Sequence, residues 1–225
     1  MKILKKALIA SALVLLFAGT SCLAAVSQGT IDPVSGKPCY KCHRSKVSAP
    51  KIHDALAGKE CTPCHQNTGG DHQKNHSLYA VKDKSANLCW QCHESVAGQK
   101  SVHPIITDEG CLGCHAPHSS SLGKLLKAEV PALCFQCHER SLVEEQKTQK
   151  ATNFRDGAES LHYVHAGKHA IPCLTCHDMH ASSQLHLLRP KGTNGKDAVT
   201  LTYAATEKGG NCTVSCHDAL GYERK

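Results

Sequence analysis

A chain of 225 residues with 15 cysteines and 17 histidines but only 4% aromatic residues lacks the apolar volume with which a domain of this length fills its interior. Something other than side chains must take that space. The net charge of +7 is weak support for a nucleic-acid partner, because Lys2, Lys5 and Lys6 sit at the extreme N-terminus and no basic stripe is interleaved with aromatics.

Residues 1–25 read as an export signal: three lysines, an apolar segment over residues 7–17, and small residues up to Ala24 and Ala25 where cleavage fits. The apolar run is short for a membrane span, and no later stretch is apolar enough for one. The expected mature chain is therefore residues 26–225, exported to the periplasm, with 23 basic against 19 acidic residues. Cys22 leaves two alternatives, an outer-membrane lipoprotein anchored through that thiol or an extracellular protein. Gly19 stands where a lipoprotein site usually carries leucine.

Beyond residue 25 the cysteines fall into one pattern. Cys39 and Cys42 precede His43, Cys61 and Cys64 precede His65, and Cys89 and Cys92 precede His93. Cys111 and Cys114 precede His115, Cys134 and Cys137 precede His138, and Cys173 and Cys176 precede His177. Cys212 and Cys216 precede His217, with one extra residue between the thiols. These seven motifs use every cysteine except Cys22. A disulfide framework or a zinc ribbon gives no reason for a histidine directly after each second cysteine. A thioredoxin-like pair would occur once, in a βαβ setting. Two thiols one helical turn apart, followed by a histidine, suit covalent attachment of haem c with that histidine on the iron. Seven such haems, each with two propionates, would turn the mature chain from basic to acidic.

Ten histidines lie outside the motifs. His53 and His103 each lie 14 residues after the first cysteine of one motif and eight before the next, and His165 keeps the spacing of eight before Cys173. His118 and His180 each lie seven residues after a first cysteine. Thr68 occupies the equivalent place after Cys61, and His72 or His76 is expected to stand in for it. The spacing thus predicts His53, His72, His103, His118, His165 and His180 as distal iron ligands. His76, His162, His169 and His186 remain as further candidates. Methionine could serve one iron at most, through Met179, which adjoins the better placed His180. Ligation by two histidines throughout is the expectation, which closes the irons and favours low potentials.

Motifs with an aromatic residue after the first cysteine (Tyr40, Trp90, Phe135) alternate with motifs that lack one. Repeats begin near residues 39, 89 and 134, with a truncated one at 212. The expected fold is mainly α and irregular, of low secondary-structure content, an elongated array packed around its haems. Two insertions interrupt it. SLVEEQKTQKA is rich in helix formers and should extend a helix that Pro131 starts. GTNGKD followed by VTLTY should form a strand or hairpin. No chemistry is assigned to either insertion.

The stretch CLGCHAPHSSSLGKLLKAEVPALCFQCH resembles the doubled-CXXCH-motif domain of bacterial multihaem c-type cytochromes, through Pro117, His118, Leu125, Leu126, Leu133, Cys134 and Phe135. CLTCHDMHASSQLHLLRP repeats its first half with Met179 in place of proline. The resemblance implies electron transfer by haems with two histidine ligands. Its expected partners are an inner-membrane quinol oxidoreductase or other cytochromes on one side, and a terminal reductase or outer-membrane conduit on the other, in anaerobic respiration or metal reduction. The resulting expectation is an electron carrier and not an enzyme. The rivals are a reductase with one open iron, a subunit of a self-assembling extracellular filament, and a component of an outer-membrane conduit.

Overall fold

The computed structural model describes residues 29–32 and 36–224. The export signal and Cys22 lie outside the described residues. The expectation of a mainly α chain is overturned: helix and strand each take 27%. Among the described residues the longest α-helix, Pro104–Asp108, has five residues, and a π-helical turn over Tyr163–Lys168 has six. The reason is spatial. Successive motifs lie only about 20 to 40 residues apart, and each interval must return a histidine to a site elsewhere. Prolines such as Pro38, Pro50 and Pro172 cut these intervals into single turns.

Short antiparallel pairs connect the turns. Strands β1 (Lys51–Ile52), β2 (His65–Asn67), β3 (Tyr79–Val81), β4 (Ser101–Val102) and β5 (Ser119–Ser120) lie in the N-terminal half. They are followed by β6 (Arg155–Asp156), β7 (Glu159–Ser160) and β8 (Ala181–Ser182). β1 pairs with β5, β2 with β3, β4 with β8 and β6 with β7. The β1–β5 and β4–β8 pairs are equivalent, Ile52 opposite Ser119 and Val102 opposite Ala181. They tie together segments that are distant in sequence, one repeat apart.

The second insertion forms the one large sheet among the described residues. Strands β9 (Lys191–Asn194), β10 (Asp197–Ala205), β11 (Gly209–Val214) and β12 (His217–Glu223) lie in the order β12-β11-β10-β9. Here the expected strand over VTLTY is present. Its alternation buries Val199 and Leu201 at 2% and 6% exposure and leaves Thr200 and Thr202 outside. The first insertion departs from expectation. Helix stops after Ser141–Glu144, and Pro131 leads a single turn, its carbonyl accepting from Phe135. Residues 147–160 then fold into a knot with Thr148, Thr152, Arg155 and Ser160 buried.

Few apolar side chains are buried. Among the described residues the buried apolar set is Ala86, Leu133, Val199, Leu201 and Tyr222. Three of these five belong to the C-terminal sheet, so the rest of the chain has almost no apolar core of its own.

Candidate haem-attachment sites

Six of the seven motifs share one conformation. The amide of each motif histidine donates to the carbonyl of the first cysteine, from His43 to Cys39, His65 to Cys61, His93 to Cys89, His115 to Cys111, His138 to Cys134 and His177 to Cys173, at 2.9–3.0 Å. One α-turn therefore sets two thiols and an imidazole side by side. The seventh motif differs. Cys212 lies in β11 opposite Leu220, Cys216 in the turn, and His217 opens β12 opposite Val214. The extra residue does not fit a single α-turn, and the β-branched Thr213 and Val214 favour strand.

Every motif histidine faces a histidine from outside the motifs. Ring centroids lie 5.8 Å apart for His43 and His72, 6.0 Å for His65 and His118, and 5.9 Å for His93 and His53. The separation is 6.0 Å for His115 and His180, 6.2 Å for His138 and His103, 6.2 Å for His177 and His162, and 6.4 Å for His217 and His165. Two imidazoles that hold one metal from opposite sides, with metal–nitrogen bonds of about 2 Å, place their centroids roughly 6 Å apart. Among the described residues no group of three or more His, Cys, Asp or Glu could hold a metal ion on its own. Zinc would draw three or four ligands from the protein, whereas haem iron brings four ring nitrogens and needs two. The residues fit haem: two facing imidazoles that would hold the iron, with a pair of unbridged thiols that would attach the ring beside one of them.

The pairing obeys a rule. His53 and His103, between the first and second and the third and fourth motifs, face the third and fifth motifs. His165, between the fifth and sixth, faces the seventh. His118 and His180, after the fourth and sixth motifs, face the second and fourth. By this rule a histidine at Thr68 would face a motif ahead of Cys39, and residues 1–38 hold no such motif. The first and sixth motifs would need ligands from beyond the array, and His72 and His162 fill these places. His76 lies beside His72 at 5.8 Å, and His186 lies against Tyr203. Neither they nor His169 face a motif histidine.

Neighbouring groups set the imidazoles. His115 Nδ1 lies 2.7 Å from the Lys124 carbonyl and His177 Nδ1 3.1 Å from that of His186, so a donated Nδ1–H leaves Nε2 free to ligate. Lys124 and His186 occupy the left-handed region, at φ 56° and 59°, which turns these carbonyls toward the rings. His165 Nδ1 meets the Leu161 carbonyl at 2.7 Å. His53 and His103 instead cap short helical turns, and their Nδ1 atoms accept from Ala55 and Ile105.

The first insertion supports the C-terminal pairs. Thr152 Oγ1 lies 2.9 Å from His162 Nδ1, and Phe154 packs against both His162 and His165. Ser160 Oγ accepts from Tyr163, at the start of the π-helical turn that separates the two imidazoles. Burial, with His177 alongside, pushes the His162 imidazolium down to about 4 and keeps the ring neutral, as ligation requires. Burial also lowers His65, His103, His118 and His177. Thr152 and Phe154 carry no sequence signal beyond lying in an insertion just ahead of His162 and His165.

Consecutive motifs are spatial neighbours. Burial first, and an adjacent thiol second, push Cys61 and Cys89 up to about 11. The adjacent thiols are Cys39 and Cys111, within hydrogen-bonding reach. Cys64 lies near Cys89, Cys114 near Cys137, Cys134 near Cys173, and Cys176 near both Cys212 and Cys216.

A family model described as the doubled CXXCH motif matches residues 53–98 and 103–142. Each matched unit begins on a histidine that faces a motif, His53 or His103, and spans two motifs. No curated protein matches the chain.

Proposed function

We propose that the chain, whose residues 53–98 and 103–142 match the doubled CXXCH motif, is a multihaem c-type cytochrome, an exported heptahaem electron carrier whose irons are all closed by two histidines. The observation that carries this reading is the one-to-one match between seven motif histidines and seven partners at 5.8–6.4 Å. Haem c supplies a one-electron couple at each site. The fourteen motif cysteines would attach the groups through thioethers. His43, His65, His93, His115, His138, His177 and His217 would be the proximal ligands. His72, His118, His53, His180, His103, His162 and His165 would be the corresponding distal ones.

The protein's own work is to hold ligands, exclude water and keep consecutive sites adjacent. Carbonyls of Lys124 and His186 fix the orientation of the His115 and His177 rings, and burial favours the neutral form of His65, His103, His118, His162 and His177. A reductase would need an exchangeable position on one iron, and here no motif histidine lacks a partner. A filament that shares ligands between subunits would leave a terminal site short of one, whereas His72 and His162 complete both from within the chain. The setting that fits is periplasmic respiration, between a quinol-oxidising cytochrome or membrane oxidoreductase and a terminal reductase or outer-membrane conduit.

Intact-mass measurement of the exported protein should show seven added haems, and low-temperature EPR of the oxidised protein should show low-spin iron only. Fewer haems would remove the heptahaem reading. A strong high-spin signal would remove the closed-carrier reading in favour of a reductase.

A further inference from the structure

The charge along the chain is not evenly spread. Between residues 37 and 59 there are six basic residues, Lys37, Lys41, Arg44, Lys46, Lys51 and Lys59, against the single acid Asp54. The segment around the seventh motif, residues 196–225, balances four basic residues with four acids. Lys41, Arg44, Lys46 and Lys51 are exposed.

Four of these cations lie at or beside the first site. Tyr40, inside the first motif, carries the Lys59 ammonium 4.4 Å and the Lys41 ammonium 5.4 Å from its ring centroid. Arg44 directly follows the proximal His43, and its Nε donates to the Lys41 carbonyl. Lys46 lies close enough to His118 for its charge to lower that imidazole, so the patch reaches the second site. Cys42 and His43 are exposed in its midst. Among the described residues, the thiols of the first site adjoin those of the second.

We propose that the face formed by Lys41, Arg44, Lys46 and Lys59 is the docking surface for an acidic redox protein that exchanges electrons at the first site. This inference rests on the electron-carrier reading. Cations spread over an exposed attachment motif accelerate encounter with an anionic partner and orient it on that site. An anionic membrane surface is the less favoured occupant, because the patch lies on the first attachment motif itself, where electron exchange needs a protein to dock.

The test uses the haem-loaded protein and an acidic flavodoxin as probe, with binding read by biolayer interferometry and electron transfer by stopped flow. Affinity should fall at least about tenfold between roughly 10 mM and 150 mM salt. Lys41→Glu/Arg44→Glu/Lys46→Glu should lose a further factor of about ten or more at low salt, and the milder Lys41→Gln/Lys46→Gln should fall between. Lys191→Glu/Lys196→Glu/Lys208→Glu, near the other end, should change affinity less than about twofold. Salt-independent binding, equal loss in the control variant, or capture by anionic lipid vesicles in place of flavodoxin would each overturn the proposal. Haem number and spin state, measured on the same samples, report separately on the electron-carrier reading.

Discussion

The main-chain amide of His53 donates to the carbonyl of His118 at 2.9 Å, and one repeat later the amide of His103 donates to the carbonyl of His180 at 2.8 Å. Each bond joins the partners of two successive motifs, the third and second in one case and the fifth and fourth in the other. β1–β5 and β4–β8 are the smallest strand pairs that can hold this junction. Two of the facing imidazoles are thus set by one local structure, and the link is made by backbone alone.

That separation of backbone from ring gives a clean test at His118. His118→Ala removes an imidazole and leaves the amide–carbonyl bond and the β1–β5 pair in place. One iron of the haem-loaded protein should become high-spin while six stay low-spin, with haem content unchanged. EPR spin quantitation checks this. A wholly low-spin spectrum would show that His118 does not ligate.

The terminal ligands call for a second series. His72→Ala and His162→Ala should each open one site, whereas His76→Ala, His169→Ala and His186→Ala should leave every iron low-spin. Loss of His162 removes a half-buried ring held by Thr152, so Thr152→Val should also broaden the low-spin signal without opening the site. If His76→Ala opens the first site, the assignment of His72 fails.

Sequence spacing made the motifs and five of the seven partners legible, because a repeating unit must repeat its ligand. His53, His103, His118, His165 and His180 all obey the same offset rule. His72 and His162 do not, since they close the ends, where the unit before or after is missing. Thr68 looked like a lost ligand for the same reason, when no motif exists for it to serve. The secondary structure was less legible. Helix formers in residues 141–151 are overridden by the requirement to bring Thr152 and Phe154 beneath His162, and propensity is a weak prior against such constraints. The strand over residues 197–205 was visible because its alternation is long enough to bury one face.

Ring orientation separates the sites into classes. The two rings are close to parallel at His65/His118 (10°) and His115/His180 (16°), and steeply crossed at His138/His103 (86°) and His93/His53 (66°). Parallel imidazoles donate π density along one direction and split the iron orbitals, while crossed rings leave them nearly degenerate. Oxidised protein should therefore show both rhombic low-spin signals and highly anisotropic ones with a large maximum g value. His118→Ala should diminish the rhombic class alone. A single rhombic class in the unmodified protein would contradict these angles.

The seventh site depends on the sheet in a way the other six do not. Cys212 and His217 are held by the pairing of β11 with β12, and that pairing begins with Gly209 against Glu223. A Cβ at Gly209 would collide with the Tyr222 carbonyl, a main-chain atom that cannot swing aside. Gly209→Ala should cost about 1–3 kcal/mol by overpacking and loosen the hairpin that presents Cys212, Cys216 and His217. Thermal unfolding followed by circular dichroism should show the loss, and intact mass should show a six-haem species accumulating beside the seven-haem one. Gly123→Ala is the control, because nothing lies within 4 Å of the added carbon and the residue needs no left-handed backbone. It should leave both stability and haem count unchanged. Full haem loading of Gly209→Ala at unchanged stability would show that the hairpin does not govern the seventh site.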